Sequence, residues 1–298
     1  MLKKKAFTMA EILIVMFLIG FLFTLMIPNV MQKQSSTKFI ENAQLAQNTL
    51  QEAFSKAAAA NDDLYPQDWE SVRYSHNKAE AIVKEIAKKT SVMSFCGSSP
   101  EGCFASDEYR TLNGAPTNIL TEKMKSSIKK RDSQDYIVRK KIYNEDTEEY
   151  RFKKLEYTFA DPQYATTYFT LLNGGAVALK TNSTYCEDII TSTDPLDRPL
   201  CGEIIVDVNG AAIPNSLGVD VFGFYLSGND IIPMGFYGDD FEFNYNCLRE
   251  KPDAKSNNGL ACSAWALKNK NMEYRKCQAG IRLSWTDSKR CEDPPTNK

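Results

Sequence analysis

The sequence predicts an α+β protein: a long N-terminal α-helix, transmembrane in its first half and amphipathic in its second, packed on an antiparallel β-sheet head stapled by disulfides. Three observations carry that expectation. Residues Ile12 to Gln32 include no charged side chain. An apolar stripe at helical spacing follows and runs to Ala57. Beyond Glu156 short β-branched and aromatic runs alternate with tight-turn residues, and all eight cysteines lie after the apolar segment.

The first element is set by length. The 21 residues from Ile12 to Gln32 make about 31 Å of helix, the depth of a hydrocarbon core. Lys3, Lys4 and Lys5 precede them, so the positive-inside rule predicts a single pass through a membrane with the N-terminus cytoplasmic and the C-terminus outside. A secretory signal peptide has a shorter apolar core and a small-residue cleavage site; here the run is long and leads into Pro28 and Asn29. A plain signal anchor fits the length but leaves Glu11 unexplained, since a carboxylate at the edge of such a run is costly in lipid and marks a function.

The helical pattern continues past Lys33. Phe39, Ala43, Ala46, Leu50, Ala53, Phe54 and Ala57 recur at spacings of three and four, with Lys38, Glu41, Gln44, Asn48 and Glu52 elsewhere. The helix is therefore expected from Phe7 to about Ala60, and "NDDLYP" from Asn61 to Pro66 reads as its end. This divides the chain into residues 1–6, a membrane segment 7–33, an amphipathic continuation 34–60 and an extracytoplasmic head 61–298. A second helix is expected over Asn77–Lys89, where Ala79, Ile82, Val83, Ile86 and Ala87 share a face, with His76 just before it.

Between Tyr109 and Lys154 the chain is polar. "EKMKSSIKKRD" and "RKKIYNEDTEEYRFKK" are rich in lysine, but acids interrupt them and the net charge is −2. A solvated surface is the expectation there, and nucleic acid is not an expected partner. From Glu156 strands take over. "LLNGGAVALKT" has the turn residues of a hairpin, and "CGEIIVDVNG", "VDVFGFYLS" and "IIPMGFY" extend an antiparallel sheet.

Cys96, Cys103, Cys186, Cys201, Cys247, Cys262, Cys277 and Cys291 form no C-x-x-C pair and His76 is the only histidine, which excludes the usual zinc and thioredoxin-like spacings. Disulfides in an oxidising compartment are the remaining reading. Proximity pairs Cys96 with Cys103 and Cys186 with Cys201, and leaves three ways to join the last four.

The stretch "KKKAFTMAEILIVMFLIGFLFTLMIPNV" resembles the N-terminus of type IV prepilins and type II secretion pseudopilins. The resemblance implies that prepilin peptidase cuts between Ala6 and Phe7, that the new Phe7 amine is methylated, and that Glu11 becomes the fifth residue of the mature chain. Pro28 falls where many members of that family have a helix-loosening proline, and Ala6 stands where they usually have glycine. The implied role of Glu11 is to pair with the Phe7 amine of a neighbouring subunit, fixing register in a bundle of helices. The implied partners are other pilin or pseudopilin subunits, the peptidase and an inner-membrane assembly platform.

"VDVNGAAIPNSLGVDVFGFYL" resembles a segment in the heads of pilin-like proteins, some of which hold calcium in comparable loops. Asp207, Asn209, Asn215 and Asp220 are the oxygen donors of that segment, and Gly210 allows the sharp turn; the spacing is not that of an EF-hand, and an ordinary tight turn is the preferred reading. No other cofactor is expected. The C-terminal cysteines resemble those that tie the last segment of such heads to the sheet, with Trp265 and Tyr274 expected in the core.

The functional expectation is a structural, minor subunit of a type IV pilus or pseudopilus, and not an enzyme. A membrane-anchored binding protein or enzyme, including a DNA-uptake or adhesive head, is the alternative. One histidine leaves little scope for a triad, and adjacent Asp239 and Asp240 in "GFYGDDFEF" point to opposite faces if that run is a strand.

Overall fold

The computed structural model describes residues 9–73, 75, 77–89, 92–105, 109–117, 119–120, 138–144, 149–155, 166–181, 186, 188–190, 198–250, 256–280 and 283–285. Helix α1 runs Met9–Asn61, and the chain divides into two compact units, Met1–Lys38 and Phe39–Lys298.

In the first unit every side chain from Ile12 to Ile19 is between 48% and 74% exposed, so this part of the helix has apolar residues on all sides and no core of its own. Pro28 lies within α1 without ending it. The expected transmembrane half and the single-pass membrane location require correction: among the described residues no helix is long and apolar enough to cross a membrane. The described apolar side chains from Ile12 to Phe21 account for about 15 Å of helix rise, roughly half of a hydrocarbon core.

In the second unit the α1 stripe becomes a buried face that begins at Ile40 and continues through Ala43, Ala46, Leu50, Ala53, Phe54 and Ala57. Asp62 closes the helix in the left-handed region at φ 53°, and Asn61 Nδ2 donates to the Ala57 carbonyl at 2.8 Å, so an orphan carbonyl of the last turn is met. Two helices follow, α2 (Glu70–Arg73) and α3 (Lys78–Ala87). Asn77 caps α3 by accepting from the Glu80 N–H at 3.0 Å, the N-terminal chemistry expected of asparagine.

The strands are β1 (Val92–Gly97), β2 (Tyr109–Arg110), β3 (Pro116–Thr117), β4 (Val138–Asn144), β5 (Glu149–Leu155), β6 (Thr166–Leu171), β7 (Ala176–Thr181), β8 (Asp188–Ile189), β9 (Pro199–Leu200), β10 (Gly202–Asp207), β11 (Val221–Ser227) and β12 (Asp230–Pro233). Six make the main antiparallel sheet in the order β1-β6-β7-β10-β11-β12, four make a second sheet in the order β5-β4-β8-β9, and β2 pairs with β3. After β12 come α4 (Asp240–Asn246) and α5 (Ser263–Asn269). The run "GFYGDDFEF" is thus not a strand: Asp239 precedes a helix, its carboxylate accepting from the Gly235 N–H at 3.2 Å.

Both faces of the main sheet are covered. Val177, Leu179, Ile204, Val206, Phe222 and Phe224 pack into one core with the α1 stripe and α3, while Ala176, Ala178, Ile205, Val221 and Tyr225 pack into another with Phe104, Tyr109, Leu217 and Leu260. That is why β7, β10 and β11 are buried along their whole length instead of alternating. Gln47 Nε2 donates to the Ile231 carbonyl at 2.9 Å. Gln51 donates to the Asn229 carbonyl at 2.9 Å and accepts from the Ile231 N–H at 2.8 Å, so α1 meets the outer backbone groups of β12 with side-chain amides.

Candidate functional site

The central strands β10 and β11 are joined by the stretch 208–220, which brings all four predicted oxygen-bearing residues into one connection, exposed over residues 211–214 and buried at its base. Asp207 ends β10 and Asp220 immediately precedes β11; both are fully buried, as is Asn215 at 2% exposure. The Val208 N–H donates to the Asp220 carbonyl at 2.9 Å, so the two ends of the loop are tied together. Asn215 holds a left-handed φ of 52° after the cis Ile213–Pro214 bond. Gly210 has φ 63°, and a Cβ there would come within 2.7 Å of the Gly174 carbonyl, so this turn and the "LNGG" turn between β6 and β7 press together where only glycine fits.

Each carboxylate is stapled by neutral donors. Asp207 Oδ1 accepts from the Asn209 N–H at 3.2 Å and Oδ2 from the Tyr109 hydroxyl at 2.8 Å. Asp220 Oδ2 accepts from the Asn215 N–H at 2.9 Å and Oδ1 from the Ser216 N–H at 2.7 Å. Burial, with the charge of Asp220 nearby, pushes the Asp207 carboxyl up to about 8. Burial raises Asp220 to about 6 against the hydrogen bonds from Ser216 and Asn215. The same burial, reinforced by Asp207, drives the Tyr109 phenol far upward, so it acts only as a donor.

Two buried carboxylates in one turn keep both charges only with a counter-ion. Asn209 Oδ1 and Asn215 Oδ1 are buried acceptors that receive no hydrogen bond, and together with Asp207 and Asp220 they make an all-oxygen donor set suited to a hard cation. The donor chemistry fits calcium; the four side chains supply part of the six to eight oxygens it takes. Among the described residues no cluster of three or more His, Cys, Asp or Glu side chains adds to it.

Tyr109, 98 residues from Asp207 in sequence, was not foreseen, because nothing around it is a motif. Its neighbour Arg110 is pinned to the same loop: its N–H donates to the Asn215 carbonyl at 2.9 Å and its carbonyl accepts from the Leu217 N–H at 2.8 Å.

The other predicted positions fall elsewhere. Ala6, Phe7, His76 and Cys291 lie outside the described residues. Glu11 and Pro28 lie on the α1 backbone. Cys96 pairs with Cys103, Cys186 with Cys201 and Cys247 with Cys262, and Cys277 is also disulfide-bonded. Trp265 stacks on Phe243 at 5.6 Å, and the Tyr274 hydroxyl donates to the Gly218 carbonyl at 2.9 Å, so both are core residues. No protein-family model, curated protein or solved structure matches this chain.

Proposed function

We propose that the chain is a structural subunit of a filament of the type IV pilus or type II secretion pseudopilus class, assembled through its N-terminal helix. The observation that carries this reading is the contrast within α1: from Ile40 one stripe of the helix is buried in the head, whereas Ile12 to Ile19 are exposed all round. A helix that is apolar on every side buries itself against other helices, and copies of the same segment are the occupants that repeat at the required spacing. The leader resemblance supplies the processing step, with prepilin peptidase cutting between Ala6 and Phe7 and Glu11 pairing with the Phe7 amine of the next subunit.

The head reads as a minor subunit, large and braced by at least three disulfides. The buried base of its β10–β11 turn supports a structural cation of calcium's class at Asp207, Asp220, Asn209 and Asn215, because two buried amide oxygens there accept nothing. Such an ion holds the β10–β11 connection and supplies no chemistry beyond that.

The test is filament yield in a host that carries a prepilin peptidase and assembly machinery. Glu11→Ala is expected to leave the protein's amount unchanged and to abolish its recovery in sheared filaments. Normal recovery, or an uncut Met1 by mass spectrometry, overturns the reading.

A further inference from the structure

Among the described large apolar side chains of the second unit, the two most exposed are Ile213 at 78% and Leu172 at 64%, and they belong to two turns that touch. Leu172 lies in the β6–β7 turn and Ile213 in the β10–β11 connection. Both open at the same end of the main sheet, because Asp207 pairs with Ala176 on one side and Val221 on the other. A Cβ on Gly210 would come within 2.7 Å of the Gly174 carbonyl, and one on Gly175 within 3.4 Å of the Asp207 carbonyl. Ala211, Ala212 and Pro214 are exposed as well. No charged side chain occurs from Val208 to Val219 or from Thr166 to Leu179, with Asp220 the sole acid of the connection and fully buried.

An exposed loop has no need to satisfy its own backbone, since water does so. This one does it internally. The carbonyls of Ala212 and Ile213 accept from Asn209 Nδ2 at 2.8 and 3.1 Å, that of Pro214 from the Ser216 hydroxyl at 3.3 Å, and that of Asn215 from the Arg110 N–H at 2.9 Å. Four consecutive carbonyls are thus met within the chain, and Pro214 has no N–H to meet. In the other turn the Gly174 N–H donates to the Leu171 carbonyl and the Gly175 N–H to Asn173 Oδ1. Taking this tip out of water therefore forfeits few hydrogen bonds and hides two aliphatic side chains.

The charges at the tip favour one apolar medium. Asp207 and Asp220 are fully buried at its base, whereas Arg110 is exposed and holds the loop by backbone bonds to Asn215 and Leu217. An uncharged aliphatic point with a cation at its margin complements an acyl boundary beneath anionic headgroups. A protein partner is held by aromatic or arginine anchors within a directional polar frame, and here the carbonyls that could build such a frame are turned inward. We propose that the paired turns 172–175 and 209–214 insert into the interface of an anionic lipid surface, with Ile213 and Leu172 as the inserted side chains. This goes beyond the filament reading and does not depend on it.

The test uses the full-length chain and vesicles of phosphatidylcholine and phosphatidylglycerol brominated on their acyl chains. Tryptophan fluorescence is read from Ile213→Trp. The control is Leu64→Trp, 60% exposed and beside Gly228, which follows β11 at the opposite end of the sheet. Native Trp69 and Trp265 are fully buried, and the wild-type signal, Trp285 included, is subtracted. The added emission of Ile213→Trp is expected to shift to the blue and to be quenched, whereas that of Leu64→Trp stays unshifted and unquenched. Both variants carry the same N-terminal helix, so attachment through that helix affects them alike. Leu172→Asp added to Ile213→Trp is expected to remove most of the quenching, and Arg110→Ala to weaken it on vesicles that contain phosphatidylglycerol and not on pure phosphatidylcholine. Leu172→Trp reads the same tip if Ile213→Trp melts below wild type. A tip that stays unquenched at both positions is left to a protein partner and overturns the proposal, as does equal quenching at Leu64 or quenching that Leu172→Asp leaves unchanged.

Discussion

The Tyr109 hydroxyl donates to Asp207 Oδ2 at 2.8 Å, joining a two-residue strand to the end of a central one across a fully buried contact. Removing the donor leaves a buried carboxyl short of one hydrogen bond and takes no bulk from the core around Phe104 and Tyr168, whose rings stand edge-on at 5.8 Å. Tyr109→Phe is expected to lower the unfolding free energy by about 1 to 3 kcal/mol. Urea denaturation at pH 7 checks it, and a change below a few tenths contradicts the assignment.

The raised carboxyls give stability a definite pH slope. Unfolded, Asp207 releases its proton near 3.8; folded, it holds it to about 8. Through that window the native state binds more protons than the unfolded state, so this contribution is present below the unfolded value and is lost as pH rises through the folded one. Asp220 adds to the loss between 3.8 and about 6. Relative to Asp207→Asn, the wild-type chain is expected to lose stability steadily from about pH 4 to about pH 8, read as paired denaturation midpoints.

A calcium ion at the proposed site would act on the same groups with the opposite sign, because it would replace the retained proton. Millimolar calcium is expected to raise the melting temperature more at pH 8.5 than at pH 5, as for the weaker extracellular calcium modules, and Asp220→Asn is expected to abolish the rise. An unchanged melting temperature at both pH values leaves the proton as the only counter-charge.

Gln51 both donates to the Asn229 carbonyl and accepts from the Ile231 N–H. Gln51→Ala is expected to cost about 1 to 3 kcal/mol through two unmet backbone groups. Gln51→Glu keeps the acceptor, loses the donor and sets a charge beside Asp230, whose Oδ1 lies 3.4 Å from the Gln51 amide nitrogen. Its deficit relative to wild type is expected to be larger at pH 8 than at pH 4, and an equal deficit at both contradicts the geometry.

Gly235 has φ 74°, and a Cβ there would collide with the Ala261 carbonyl. Because the obstacle is backbone and the conformation is left-handed, Gly235→Ala is expected to destabilise by more than about 3 kcal/mol, strain and displacement together. A melting temperature within two degrees of wild type would falsify this.

Local patterns were readable and long-range pairings were not. The α1 stripe, the second helix after His76 and the "LNGG" turn follow from period and turn chemistry within a few residues, although Asn77 is that helix's cap and not its first residue. The four oxygen-bearing residues between Asp207 and Asp220 were found because one loop carries them all. Tyr109 and Gln51 were missed because each acts on a residue far along the chain, and a tyrosine or glutamine has the same local signature whether solvated or bonded. The "GFYGDDFEF" run misled for a related reason: its aromatic content favours a strand, yet Phe243 is held by tertiary packing against Trp265 and Trp285 at 5.6 and 5.4 Å.

The glutamine contacts along β12 have a consequence for the margins of the main sheet. One margin of the main sheet is occupied by α1, and the opposite margin, β1, pairs irregularly, with register shifts between Val92 and Ser94 and between Phe95 and Gly97. Neither offers a regular row of free amides and carbonyls to recruit a strand from another head, the route by which exposed edges seed amyloid-like stacking. Strand addition at either margin of the main sheet is thereby disfavoured, and the six strands are kept within one chain.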